Sequence, residues 1–199
     1  MNARFACTVL LGCTLSLPLL AEDTPKAPSP EEQAMMEAYE KMGRVGDAHK
    51  SMARYVGRWT YENTMWMDPS APPVTSTGTA EATAIWGGRY IETVFKGDYQ
   101  GQPFEGRSFA GYDNLKGKYV ATWIDSLSTG IFITYGDHDA ATDTTTFHGE
   151  MDDPMKAGGK IPVRQVDRWI DADHYVFEWH ESRDGKEAKT MEIRYARVQ

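Results

Sequence analysis

The sequence predicts an all-β fold, a ten-stranded antiparallel up-and-down barrel preceded by an N-terminal helix, and three observations carry that expectation. From Tyr55 onward the apolar residues alternate with a period of 2 rather than 3.6. Turn-forming clusters then recur at 68–73, 87–88, 101–102, 113–117, 126–130, 139–143, 152–159, 171–173 and 184–185. Nine connections imply ten strands. Connections this short join antiparallel neighbours, and a twisted meander of that width curls until its two edges meet.

The 199 residues suit a single domain with an appendage, and 29 acids against 21 bases give a net charge of −8, which argues against a nucleic-acid partner. At the start, Arg4, an apolar stretch over 5–20 and then Ala21 read as a secretory signal peptide cleaved near Ala21. That reading implies a periplasmic or secreted protein with no stable membrane span. Leu10-Leu11-Gly12-Cys13 resembles a lipoprotein processing site, but the apolar stretch continues past Cys13 through Leu20, so lipidation is the second reading. Both cysteines, Cys7 and Cys13, fall in this leader, which leaves the mature chain without a disulfide or a thiolate ligand.

Residues 22–30 carry three prolines and read as an extended tether. Ser29, Pro30 and Glu32 form the entry signature of a helix, so 31–54 is expected to be helical. Its buried stripe would be Met35, Tyr39, Met42, Gly46, His49 and Met52, with Gly43 and Gly46 weak enough to split it in two.

The barrel domain is expected over 55–199, and strand alternation says what faces inward. The inward sets are Trp59, Tyr61, Asn63, Met65 and Met67, then Gly78, Ala80, Ala82, Ala84 and Trp86, then Ile91, Thr93 and Phe95, then Phe104, Gly106, Ser108 and Ala110. Near the C-terminus they are Tyr175, Phe177 and Trp179, then Met191, Ile193 and Tyr195. The strands over 118–125 and 161–170 are apolar on both faces, and alternation does not settle their register. A glycine and alanine wall opposite aromatic and methionine walls is expected to leave an internal cavity, largely apolar with a few polar groups, as in a small-molecule pocket.

Gly57-Arg58-Trp59 has the Gly-x-Trp form that lipocalins carry at the entrance of their first strand, where tryptophan closes the floor beneath an arginine from the last strand, here Arg194 or Arg197. Six further segments extend the likeness: 64–69, Trp86-Gly87-Gly88-Arg89, Pro103-Phe104-Glu105-Gly106, Gly111-Tyr112-Asp113-Asn114, Thr122 to Gly130, and Lys189-Thr190-Met191-Glu192-Ile193. In this order, over roughly 48–198, the chain resembles the bacterial family catalogued as domain of unknown function 1579. That resemblance implies a lipocalin-like, or calycin, barrel and implies no reaction.

Signals for chemistry are sparse. His49, His138, His148, His174 and His180 lack the spacing of a zinc site, and His180, the one histidine with a haem-ligand analogue in the nitrobindin barrels, is expected to face outward. Asp137, Asp139 and Asp143 begin like a calcium loop but lack its glycine and its final glutamate. No cofactor, metal or oligomeric state is indicated. The expected function is the binding of a small apolar or amphipathic molecule by Tyr61, Met65, Trp86, Phe95, Phe104, Trp123, Asp125, Phe177 and Trp179. One alternative is an enzyme that uses a desolvated Asp125 as acid or base, against which stands the reading of Asp125 as a strand-end turn residue. Another is a structural protein that docks a partner through its N-terminal segment.

Overall fold

The computed structural model describes residues 27–199 except Pro69, and the expected signal peptide and most of the tether lie outside the described residues. The chain divides into two units, with the boundary between Glu37 and Ala38. A helix, α1 (Pro30–Gly43), crosses that boundary. Its start is the expected capping box: the Ser29 backbone N–H donates to the Glu32 carboxylate at 2.6 Å, and the Glu32 N–H donates to Ser29 Oγ at 3.3 Å. Its apolar stripe departs from expectation, because Met35, Tyr39 and Met42 are exposed. The sequence breaks at Gly43 as predicted, and a second helix, α2 (Asp47–Met52), buries His49 and Met52. A 3-10 turn over Ala53–Tyr55 leads into the barrel.

The ten strands are β1 (Gly57–Met65), β2 (Val74–Ile85), β3 (Tyr90–Tyr99), β4 (Gln102–Asp113), β5 (Lys118–Asp125), β6 (Phe132–Asp139), β7 (Thr144–Asp152), β8 (Lys160–Trp169), β9 (His174–Arg183) and β10 (Lys186–Arg197). Every strand pairs antiparallel with its neighbours in sequence, and β1 pairs with β10 to close the ring. The β9–β10 hairpin turns on Asp184-Gly185, both at positive φ, the backbone that a two-residue hairpin requires. The β3–β4 hairpin turns on Gln100-Gly101, one residue before the expected position.

The register settles the two ambiguous strands. Trp123 pairs with Ser108 and Asp125 with Gly106, so Tyr119, Ala121, Trp123 and Asp125 face inward. Gln165 pairs with Trp179 and Asp167 with Phe177, so Ile161, Val163, Gln165, Asp167 and Trp169 face inward too. Three expected interior positions fall outside. Met67 and Trp86 lie past their strand ends and are exposed, Trp86 at 73 %, and Ala84 is exposed at the end of β2. The reason is the same at both ends: alternation assigns a face but does not say where pairing stops.

The small-residue wall is where the expected cavity has to be corrected. Ala80 and Ala82 are buried and inward as predicted. The space above the neighbouring glycines is nevertheless filled: a Cβ on Gly78 or Gly97 would collide with the Tyr61 ring, one on Gly106 with Trp123, and one on Gly136 with Phe147. The small residues thus seat rings that lie flat against the wall from adjacent strands, and the hole inferred from side-chain size is smaller for it.

Candidate functional site

The interior has two halves. The half next to α2 and the 3-10 turn is sealed by aromatic rings. Trp59 is 1 % exposed and packs edge-on against Tyr175 at 5.0 Å, while Tyr55 meets Trp169 at 4.9 Å and Tyr175 stacks on Tyr195 at 4.2 Å and 8°. Such pairs contribute about 1 kcal/mol each beyond their buried area. Trp59 donates its indole N–H to the Tyr55 carbonyl at 2.8 Å. Of the two arginines expected to cap the floor it is Arg197, whose guanidinium lies 4.1 Å from the Trp59 ring and donates to the Val56 and Arg54 carbonyls and to Asp173. Arg54 covers Trp169 in the same way at 3.8 Å and pairs with Asp143.

The opposite half opens between the connections that follow Met65, Tyr99, Asp125, Asp152 and Arg183. Here Asn63, Met65, Phe95, Phe104, Trp123, Asp125, Phe177 and Trp179 all face inward yet stay partly accessible to water. Phe95 and Phe104 flank Trp123 at 5.1 and 6.3 Å, and Phe132 lies 5.0 Å from Trp179. A partly open recess of about 280 Å³ sits at this mouth, bounded by Met65, the start of β2 and the Asp98–Gln100 corner. A second, of about 380 Å³, lies outside the sealed end, between α2 and Tyr112, Tyr119 and His138.

Of the residues expected to form a ligand site, the barrel brings Met65, Phe95, Phe104, Trp123, Asp125, Phe177 and Trp179 onto the lining of the open half. Tyr61 sits at the boundary, 8 % exposed, with its hydroxyl donating to the Lys96 carbonyl at 3.4 Å. Trp86 is in the β2–β3 turn and takes no part.

The polar groups inside differ in how well they are satisfied. Asp125 accepts the Trp123 indole N–H at 2.7 Å and the Leu127 backbone N–H at 2.9 Å, so both of its oxygens are engaged, the second in the strand-end turn. Glu181 repeats the arrangement on β9: Trp179 donates to it at 3.2 Å, and Arg183 and Thr190 complete its contacts. Deeper in, Thr134 donates to Gln165 at 3.1 Å. Two acceptors are poorly served. Asn63 Oδ1 is buried without a partner. Asp167 has one hydrogen bond, from the Tyr55 hydroxyl at a long 3.4 Å. Burial raises the Asp167 carboxyl to about 7, and burial together with that carboxylate pushes the Tyr55, Tyr175 and Tyr195 hydroxyls well above the ordinary tyrosine range.

Sequence reasoning did not single out Asp167 or Glu181. For Asp167 a signal was present: Arg164 and Arg168 occupy the even positions of that strand and mark its solvent face, but Pro162 and Val166 on the same face blurred it. His180 lies on the outer face, bonded to Glu178. Asp139 is engaged by Ala141 and Thr142 in a turn. Among the described residues no group of three His, Cys, Asp or Glu is placed to hold a metal ion, and no helix is long and apolar enough to cross a membrane.

Residues 44–197 match the model of a family described as protein of unknown function (DUF1579). Among solved structures, the chain is similar to the crystal structure of Rv2717c from M. tuberculosis, with 10 % identity and a TM-score of 0.56 over 78 % of this chain and all of that one. It also overlaps a redesigned beta barrel, b11L5F_LGL, at 12 % identity and TM-score 0.39, over 79 % of this chain and all of that one. The Rv2717c likeness supports the barrel fold alone. No curated protein matches.

Proposed function

The chain belongs to the DUF1579 family, whose function is unknown, and from that premise we propose that it binds a small apolar or amphipathic molecule in the open half of its barrel. One observation carries this reading: the interlocked rings of Trp59, Trp169, Tyr175 and Tyr195 in the sealed half are buried, whereas Phe95, Phe104, Trp123, Phe177 and Trp179 in the open half stay partly accessible although they are aromatic. Apolar surface kept wet in this way gains roughly 25 cal/mol per Å² when a ligand covers it. A concave apolar lining with a few fixed polar groups is the usual form of a small-molecule site. Asp125 accepts the Trp123 indole N–H and the Leu127 backbone N–H and so holds Trp123 in place.

The test is titration of the intrinsic tryptophan fluorescence with octanol, together with native mass spectrometry of the freshly purified protein. Saturable quenching that weakens in Trp123→Phe and Trp179→Phe and persists in Trp86→Phe is expected. No saturable response and no co-purified mass would end the reading. We further propose export to the periplasm or beyond, with residues 1–21 as the leader. N-terminal sequencing of the protein recovered outside the cytoplasm would locate the cleavage site, and retention of Met1 would refute it.

A further inference from the structure

The charges on the inner wall are lopsided. The inward positions of the ten strands hold three carboxylates, Asp125, Asp167 and Glu181; the cations on the same face lie at the two ends, Arg197 committed to Trp59 and Asp173 at the sealed end, and Arg183, paired with Glu181, and Lys186 at the open rim. Asp125 is satisfied by N–H donors and Glu181 by Arg183 at the rim, but Asp167 faces no cation. Around it are Phe177 on β9, directly opposite in register, Thr145 on β7, and the rings of Tyr55, Tyr175 and Tyr195. Asp167 is nonetheless only half-buried, unlike Gln165 and Trp169 on the same face of its strand.

Resting on the binding reading above, we propose that the ligand is an apolar amine, held by Asp167 as counter-ion to its ammonium group with the neighbouring aromatic rings around it. A buried carboxylate without a partner is costly, and a desolvated ammonium is the partner that offsets the cost most directly. Ring faces attract cations and give nothing to anions. Asn63 Oδ1, the other unserved acceptor of the interior, also calls for a donor. A carboxylate ligand such as a fatty acid would meet three like charges on the inner wall and, beside Asp167, no cation to pair with.

The charge of Asp167 depends on pH, since its carboxyl is raised to about 7 by burial. The titratable and charged groups nearest it are Tyr55 and Arg54 from the 3-10 turn, Tyr175 on β9, Tyr195 on β10, and His138 on β6 through its contact with Thr145. Binding an ammonium then displaces the Asp167 proton, and affinity for an amine rises as pH rises through about 7.

The experiment compares octylammonium, octanol and octanoate by tryptophan quenching of the full chain at about pH 8.5 and about pH 5.5, where Asp167 is mainly charged and mainly neutral. Octylammonium is expected to bind about tenfold tighter than octanol at the higher pH, to lose that preference at the lower pH, and to lose it in Asp167→Asn at both. Glu62→Gln, on the outer face, changes nothing. Equal binding of all three probes, or tighter binding of octanoate, overturns the amine assignment and leaves the chamber standing. No binding of any probe overturns the chamber itself. Should Asp167→Asn fail to fold, the pH dependence of the native protein decides alone.

Discussion

The two halves of one barrel are built from the same materials with opposite outcomes. Both are lined by tryptophan, tyrosine and phenylalanine. In the sealed half the rings meet one another edge-on and stacked, and two arginines cover the outer faces of Trp59 and Trp169. In the open half each of Trp123 and Trp179 is tied by its indole N–H to a carboxylate two residues on, and, although Phe95 and Phe104 flank Trp123 and Phe132 lies against Trp179, both side chains stay partly accessible. The difference lies in what each ring is bound to. Interlocked rings covered by arginines make a floor, and rings tied at one edge to a carboxylate make a lining that is fixed in place and only partly covered.

The sharpest way to break this comparison is to remove one tryptophan from each half. Trp59→Ala should cost about 3–5 kcal/mol in denaturant unfolding, because it empties a sealed site. Trp179→Ala, at the small end of the scale, should cost about 1 kcal/mol while weakening octanol quenching. Equal costs would mean that the open half is as tightly packed as the floor.

Between these extremes lies Asp167. Its folded carboxyl titrates near 7, above the unfolded value of about 3.9, so the folded chain holds a proton that the unfolded chain has released over that window. Stability should therefore fall as pH rises from about 4 to 7, by a few kcal/mol at most. Asp167→Asn should remove most of that slope, raising the melting temperature near pH 8 and changing it little near pH 5. A pH-independent difference between the two proteins would contradict the assignment. Gly78→Ala tests the seating of Tyr61, since the new Cβ would strike the Tyr61 ring and the Lys96 carbonyl. A loss of about 1–3 kcal/mol by thermal unfolding is expected, and a neutral result would mean that the ring has room to retreat.

Most of the architecture was legible. Ten strands, their meander and the inward sets of six strands follow from alternation and turn chemistry, both of which are local. What was not legible depends on contacts between strands distant in sequence. The wall from Gly78 to Ala82 reads as empty space in a linear inventory and is filled by Tyr61 and its neighbours, because a ring occupies the volume beside it and not only the volume in front. Met35, Tyr39 and Met42 read as a buried stripe by spacing alone, but spacing shows that a face exists without showing what covers it. The expected ligand residues other than Trp86 lie inside the barrel, and Asp167, an inward carboxylate with a single long hydrogen bond, was hidden by a strand whose outer face is also partly apolar.

The pairing of β1 with β10 has a consequence for how the molecule is made. Trp59 lies opposite Arg197 across that seam, and the same arginine grips the Arg54 and Val56 carbonyls. These partners are separated by well over a hundred residues, so the seam forms only after the last strand has left the ribosome. Until then β1 presents a bare edge, and long-range closure of this kind is slow. A chain stopped short of Arg197 should accumulate as an open, aggregation-prone sheet.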